Sequence, residues 1–334
     1  MMPVLSMEIY LKRTKTIKNT ISVMIALGLL TVVNAPLLAF DLSYASYPMP
    51  FCSKTTKAAL HACQYEIKDD YWVAIGNCHN LTNADARKAC ASSARETRYE
   101  NHQLCKEQAD ARNDICRVIG QAPYDPVINA SNFVDPADIG KGISPNPYFP
   151  LVEGTTWLYK NDSETITVMV TKKFKEILGV NCVVVRDIVE EEGEVIEDTE
   201  DWYAQDTAGN VWYFGEISKN FEDGELVDLE GSWKAGVDGA KAGYLMKAVP
   251  RVGEMYRQEF FLAEAEDMAE VVSVTGTESV PVASCHNDCL VTHDFSPLEP
   301  DVNEHKYYAP GIGMILEVDV ETGGRVELVE LIMP

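Results

Sequence analysis

Two hydrophobic rhythms divide this chain. Over residues 54–77 and 84–118 apolar positions are sparse, proline is absent, and Ala, Lys, Glu, Arg and Gln dominate, which predicts two long solvated helices. From residue 149 onward the pattern changes to period two. Thr165-Ile-Thr-Val-Met-Val-Thr171 alternates cleanly, and Asn181 to Val189 is rich in Val and Ile. Glu200–Gln205 and Val211–Phe214 flank Asp206-Thr-Ala-Gly-Asn210, a hairpin turn. Further turns are expected at Glu191-Glu-Gly-Glu194, Glu222-Asp-Gly-Glu225 and Glu321-Thr-Gly-Gly324. About ten to twelve short strands fit into residues 149–334. The predicted fold class is therefore α+β: an antiparallel helical hairpin followed by a mainly antiparallel β-meander, curled into a barrel, half-barrel or sandwich. Gly231 to Ala248 lacks alternation and reads as a long loop over one end.

The N-terminus has a different character. Lys12, Arg13, Lys15 and Lys18 precede the apolar run Ile21 to Ala35, and small residues follow at Ala35, Ala39 and Ala45. This is the layout of a secretory signal over residues 1–39, with cleavage after Ala39 or Ala45. An uncleaved anchor is the competing reading, but the run is short for a bilayer span of roughly 20 residues. With the signal removed, no membrane span is expected, and the protein is placed in a secreted or periplasmic setting.

Cysteine spacing strengthens both readings. Six of nine cysteines fall between Cys52 and Cys116, within a segment 50–118. Steps of eleven and fifteen residues through Cys52, Cys63 and Cys78 are mirrored by fifteen and eleven through Cys90, Cys105 and Cys116. Pairing from the outside in, Cys52 with Cys116, Cys63 with Cys105 and Cys78 with Cys90, is what an antiparallel hairpin requires. The steps are close to whole helical turns of about 3.6 residues, so each arm points its cysteines one way. Small residues at Ala59, Ala62, Ala74, Ala89, Ala94 and Ala109 would let the helices approach closely, and Thr82 with Asp85 suggests an N-cap. No C-x-x-C occurs, which argues against c-type haem and zinc-ribbon sites. Between the helices and the strands, residues 119–148 hold Pro123, Pro126, Pro136, Pro145 and Pro147, a proline-rich linker packed against both neighbours.

Charge then narrows the partners. The chain carries a formal net charge of −24, and residues 151–334 alone hold 38 acids against 13 bases. Such a region repels nucleic acid and anionic lipid. It suits cationic partners or simple solubility, with the acids expected in turns and at outward strand positions.

Three segments of the acidic region resemble a known group. Asp201-Trp-Tyr-Ala-Gln-Asp-Thr-Ala-Gly-Asn-Val-Trp-Tyr-Phe-Gly-Glu216, Pro147-Tyr-Phe-Pro-Leu-Val-Glu-Gly-Thr-Thr-Trp157 and Pro297-Leu-Glu-Pro300, the last continued by Glu304-His-Lys-Tyr-Tyr-Ala-Pro-Gly311, are similar to secreted bacterial β-rich proteins of uncharacterised function. The similarity covers roughly residues 145–330. It implies no catalytic residues. It does imply a Cys182–Cys289 disulfide that leaves Cys285 unpaired.

Candidate chemistry is sparse. Cys285-His286-Asn-Asp-Cys289-Leu-Val-Thr-His293 could bind zinc or copper through Cys285, His286 and His293, with His305 brought alongside by a hairpin near Pro297–Pro300. Against this, Cys289 is committed in the implied disulfide, and Cys285 could equally pair with it. Calcium bridging between turn carboxylates is a further option, although no D-x-D-x-D-G loop is present. Hydrolase and phosphate-binding motifs are absent, and acids are too abundant to single out a catalytic pair. Trp157, Trp202, Tyr203, Trp212, Tyr213, Phe214 and Trp233 either line a pocket or form the β core. The reading favoured is a non-enzymatic protein whose β domain binds a small or apolar molecule or an envelope-protein partner, with the hairpin as spacer or docking arm. The alternatives are a metal-handling protein and a hydrolase with an unrecognised carboxylate pair.

Overall fold

Two helices laced by cysteines open the computed structural model, which describes residues 50–334; the signal segment expected over residues 1–39 lies outside them. Helix α1 spans Phe51–His79 and α2 spans Ala84–Ile119. The three nested disulfides form, with Cα–Cα distances of 5.7, 5.9 and 5.5 Å for Cys52–Cys116, Cys63–Cys105 and Cys78–Cys90. Of the alanines expected at the interface, Ala59 and Ala109 are buried, whereas Ala62 and Ala89 are exposed. The cap of α2 is Asn83, whose side chain accepts the Ala86 N–H at 2.9 Å, one residue later than the Thr82 expected. No helix among the described residues is long and apolar enough to cross a membrane.

The connector is irregular but anchored. Asn146 is buried; its carboxamide oxygen accepts the Tyr148 and Phe149 N–H groups and its nitrogen donates to the Gly209 carbonyl. Phe133 lies edge-on to both Trp212 and Phe214, with centroids 6.1 and 5.5 Å away.

Every strand pairing is antiparallel. The first strands are β1 (Thr156–Lys160), β2 (Glu164–Ile177), β3 (Val180–Glu191), β4 (Glu194–Gln205) and β5 (Val211–Ile217). A small flap follows, made of β6 (Asn220–Glu222), β7 (Glu225–Asp228) and β8 (Trp233–Lys234). Next come β9 (Lys241–Met246), β10 (Met255–Arg257) and β11 (Glu259–Phe260). The chain ends with β12 (Met268–Val280), β13 (Ala283–Phe295), β14 (Asn303–Ala309), β15 (Gly313–Asp319) and β16 (Arg325–Ile332). The turns at 192–193, 206–210, 223–224 and 320–324 fall where the sequence predicts them. Gly231 to Ala248 is not a single loop: it supplies β8 and β9, and β9 pairs with β5.

The sheet runs β10-β12-β13-β14-β15-β16-β1-β2-β3-β4-β5-β9-β11. Its two edges, β10 and β11, are separated in sequence by Gln258 alone, so the segment Met255–Phe260 pairs with β12 on one side and with β9 on the other. The sheet is thereby drawn into a nearly closed barrel. Closure brings backbones very close: a Cβ at Gly243 on β9 would collide with the carbonyl oxygens of Arg257 and Gln258. Counting Met255–Phe260 once leaves more strand positions around the ring than the roughly eight at which side chains alone fill the lumen.

Hairpin and barrel belong to one compact unit. Arg112 on α2 clamps Glu266, just before β12, through Nε to both carboxylate oxygens at 3.0 Å and through a terminal nitrogen at 2.7 Å. Both side chains are buried.

Candidate functional site

Inside the barrel lies a cavity of about 230 Å³. Strand alternation decides what reaches it. On β4, Asp201 and Tyr203 point inward, and on β5 Tyr213 does, while Trp212 and Phe214 lie outward beneath Phe133. The cavity wall includes Val168 and Val170 from β2, Val185 and Asp187 from β3, Asp294 from β13, and Lys306 and Tyr308 from β14. Leu245 of β9 and Gln258 and Glu259 of the closing segment face it too, and the end of the connector contributes Phe149, Pro150 and Leu151. The wall is therefore mixed, with apolar and aromatic side chains interleaved with carboxylates.

Lys306 is the one cation of that wall, and it is fully engaged. Its ammonium lies 3.3 Å from Glu317, 3.4 Å from Glu304 and 3.7 Å from Asp294. Burial alone would lower its pKa, but Glu317, Asp294 and Glu304 outweigh that and hold it well above the usual lysine range. It therefore acts as a fixed charge and not as a nucleophilic amine. Asp294 is further held by the Thr292 hydroxyl at 2.5 Å and by Gln258 Nε2 at 3.2 Å.

Asp187, Asp201, Glu216 and Glu259 have no cation within 4 Å among the described residues. Burial raises Asp187, Glu216 and Glu259 well above the ordinary carboxylic range, and like charges nearby add to it. Asp201 is raised to about 6, again by burial, with hydrogen bonds from Tyr213 pulling the other way. Geometry supports the same conclusion independently. The Tyr213 hydroxyl lies 2.6 Å from Asp201 Oδ1 and 2.8 Å from Glu216 Oε2, yet it has one proton to give. One of those two carboxyls must therefore be protonated to complete the second bond. Asp187 Oδ1 is buried and meets no donor at all.

The metal ligands expected from sequence are elsewhere. His293 and His305 do become cross-strand partners, with ring centroids 5.9 Å apart, but they lie in an outer cleft with Glu270 and Asn303. Burial and the neighbouring His293 lower the pKa of His305. His286 is exposed and lies on β13 seven residues before His293, where it pairs with Thr277 and not beside His293 and His305. Cys285 is not available as a thiolate, because it is bonded to Cys289. Among the described residues, no three His, Cys, Asp or Glu side chains converge as a metal site.

The expected Cys182–Cys289 disulfide is likewise corrected. Cys182 is a free, buried thiol on β3, and five strands separate β3 from β13 in the sheet. Cys285 and Cys289 meet because β13 bulges between His286 and Cys289. Asn287 adopts a left-handed conformation at φ 61°, Thr277 Oγ1 accepts its N–H, and Asp288 accepts the His286 N–H. The bulge brings the two Cα atoms to 5.4 Å, where four extended residues would span roughly 13 Å.

Sequence reasoning found part of the wall. Of the seven aromatics singled out, Trp157, Tyr203 and Tyr213 line the cavity; Trp202, Trp212, Phe214 and Trp233 are buried elsewhere. It missed Asp187, Asp201, Glu259 and Lys306. Their signal was an ionisable residue in phase with buried neighbours, as in Val185-Arg-Asp187 and Asp201-Trp-Tyr203. Comparison with protein-family models, with curated proteins and with solved structures finds no match to this chain.

Proposed function

We propose that this is a secreted or periplasmic, non-enzymatic binding protein that holds a small molecule inside its barrel. The observation that carries the reading is the cavity of about 230 Å³, walled by apolar and aromatic side chains interleaved with carboxylates. Ligand sites of this mixed kind are usual in concave sheets. The disulfide-laced hairpin fits an oxidising compartment. A non-catalytic role is supported by the state of the polar groups: the lysine is held by three carboxylates, and Asp201 and Glu216 share the Tyr213 hydroxyl.

Native mass spectrometry on protein purified from its own source tests this. Wild type is expected to carry a small-molecule adduct, and Val168→Trp, which fills the cavity, to lose it. Identical spectra for the two, or a wild type that arrives empty and gains no thermal stability from any member of a fragment library, would overturn the reading.

A further inference from the structure

The cavity has an unbalanced wall, and the imbalance describes its occupant. Lys306 is held by Asp294, Glu304 and Glu317, and although its charge is felt by Asp187 it makes no ion pair with Asp187 or Asp201. Asp187 and Asp201 are diagonal neighbours on the inner face of β3 and β4, since Val185 pairs with Asp201 and Asp187 with Thr199. Diagonal positions of this kind stand roughly 7–8 Å apart, a gap one positively charged nitrogen can bridge. Asp187 lines that space, and its Oδ1 is buried without a hydrogen-bond donor. A buried carboxyl oxygen left unpaired is costly, and within this wall no protein group supplies the missing donor.

Resting on the binding role proposed above, we infer that the molecule held in the cavity is a small organic cation: a protonated amine on an aromatic or aliphatic body, its ammonium seated between Asp187 and Asp201. The rest of the wall favours an organic cation over a bare metal ion. Leu151, Trp157, Val170, Leu245 and Met314 offer an apolar bed, and Tyr203 and Tyr213 offer ring faces that attract cations. Calcium would need six to eight oxygen ligands drawn inward to about 2.3–2.6 Å, whereas the described residues form no convergent group of even three. The volume is also several times that of a water molecule, about 30 Å³, and accommodates a carbon skeleton.

The empty and filled states then differ by an exchange of charge. Without ligand, burial holds Asp187 in its protonated form, with Asp201, Glu197 and Glu317 adding to the effect and the charge of Lys306 opposing it. An arriving ammonium keeps its own protons and forms its hydrogen bonds to ionised carboxylates, so the displaced carboxyl proton passes to solvent.

Isothermal titration calorimetry with three amine and alcohol pairs tests the inference: phenethylamine with 2-phenylethanol, benzylamine with benzyl alcohol, and hexylamine with hexanol. At neutral pH the best amine is expected to bind at least tenfold more tightly than its alcohol, and to release protons when titrated in buffers of different ionisation enthalpy. Asp187→Asn and Asp201→Asn are near-isosteric and should each narrow that gap by weakening the amine at least tenfold. The proton release is read on wild type, so it stands even if a variant fails to fold. Alcohols that bind as well as amines would overturn the cation while leaving the binding role intact, as would a thermal shift produced by calcium chloride and by no amine. Failure of all six compounds, together with an empty wild type in native mass spectrometry, would remove the binding role as well.

Discussion

Of the 29 residues in α1 only Thr56, Ala59, Ile67 and Cys78 are buried, whereas β5 buries five of its seven. The two regions thus hold their shapes differently. Two helices with so little shared apolar surface cannot offset the entropy of ordering them, and three disulfides cross-link the hairpin where hydrophobic burial is missing. The barrel has the opposite surplus. Its core runs through nearly every strand, and the outer face of β5 is covered again by Phe133. That surplus lets it tolerate carboxylates in its interior that a small domain could not accommodate.

Reduction should separate the two regions most sharply. Each crosslink is expected to contribute about 2–4 kcal/mol, and the hairpin has three. Protein treated with a thiol reductant should lose hydrogen-exchange protection throughout residues 51–119, while residues 156–332 keep theirs outside the short bulge that Cys285–Cys289 closes. Equal protection of both regions after full reduction would show that packing, not sulfur, holds the helices.

The Arg112–Glu266 pair sharpens the comparison at the seam. Glu266 is held by Arg112 and by the Ala263 N–H, and both side chains of the pair are buried. Arg112→Met leaves that carboxylate buried and unpaired, at a cost of about 3–5 kcal/mol. The double variant Arg112→Met/Glu266→Leu should recover most of the loss. Urea unfolding followed by far-ultraviolet circular dichroism checks it. A single variant as stable as wild type would mean that the seam is wet.

The hairpin was legible from sequence almost to the residue, because cysteine spacing encodes geometry directly: mirrored steps leave an antiparallel pair of arms little freedom. The meander was legible as a class, with its turns in place. What sequence could not convey was closure, since β10 and β11, of three and two residues, are too short to show a period, and their role depends on Gln258 standing between two sheet edges. The acids were misassigned for a related reason. Alternation tells that Asp201, Tyr203 and Gln205 share a face, but not that this face is the inside, because charged residues are ordinarily assigned to solvent. Likewise the disulfide in β13 depends on a bulge, which spacing alone does not reveal.

The smallest expected effect is the most specific to the barrel, and it concerns pH. Asp201 has a folded pKa of about 6, above its ordinary value of 3.8. Folding therefore favours its protonated form, and the stability it contributes is complete below about pH 4 and is lost as pH rises through 6. Burial likewise raises Asp187, Glu216 and Glu259 well above the ordinary range, and each adds a loss of the same sign as pH rises. Asp198 works the other way: Arg186 holds its carboxyl below the usual range, so its contribution is lost only as pH falls below about 4. Between pH 4 and 8 the melting temperature of the unliganded barrel should then fall as pH rises, the reverse of ordinary acid denaturation, while the covalent rungs of the hairpin carry no such linkage. Asp201→Asn keeps an acceptor for Tyr213 and removes the titration, so its melting curve should be flatter and should lie above wild type at pH 8. Scanning calorimetry across that range decides the matter: parallel curves for the two proteins would mean that Asp201 is ionised in the fold, and that the shared proton on Tyr213 belongs to Glu216 alone.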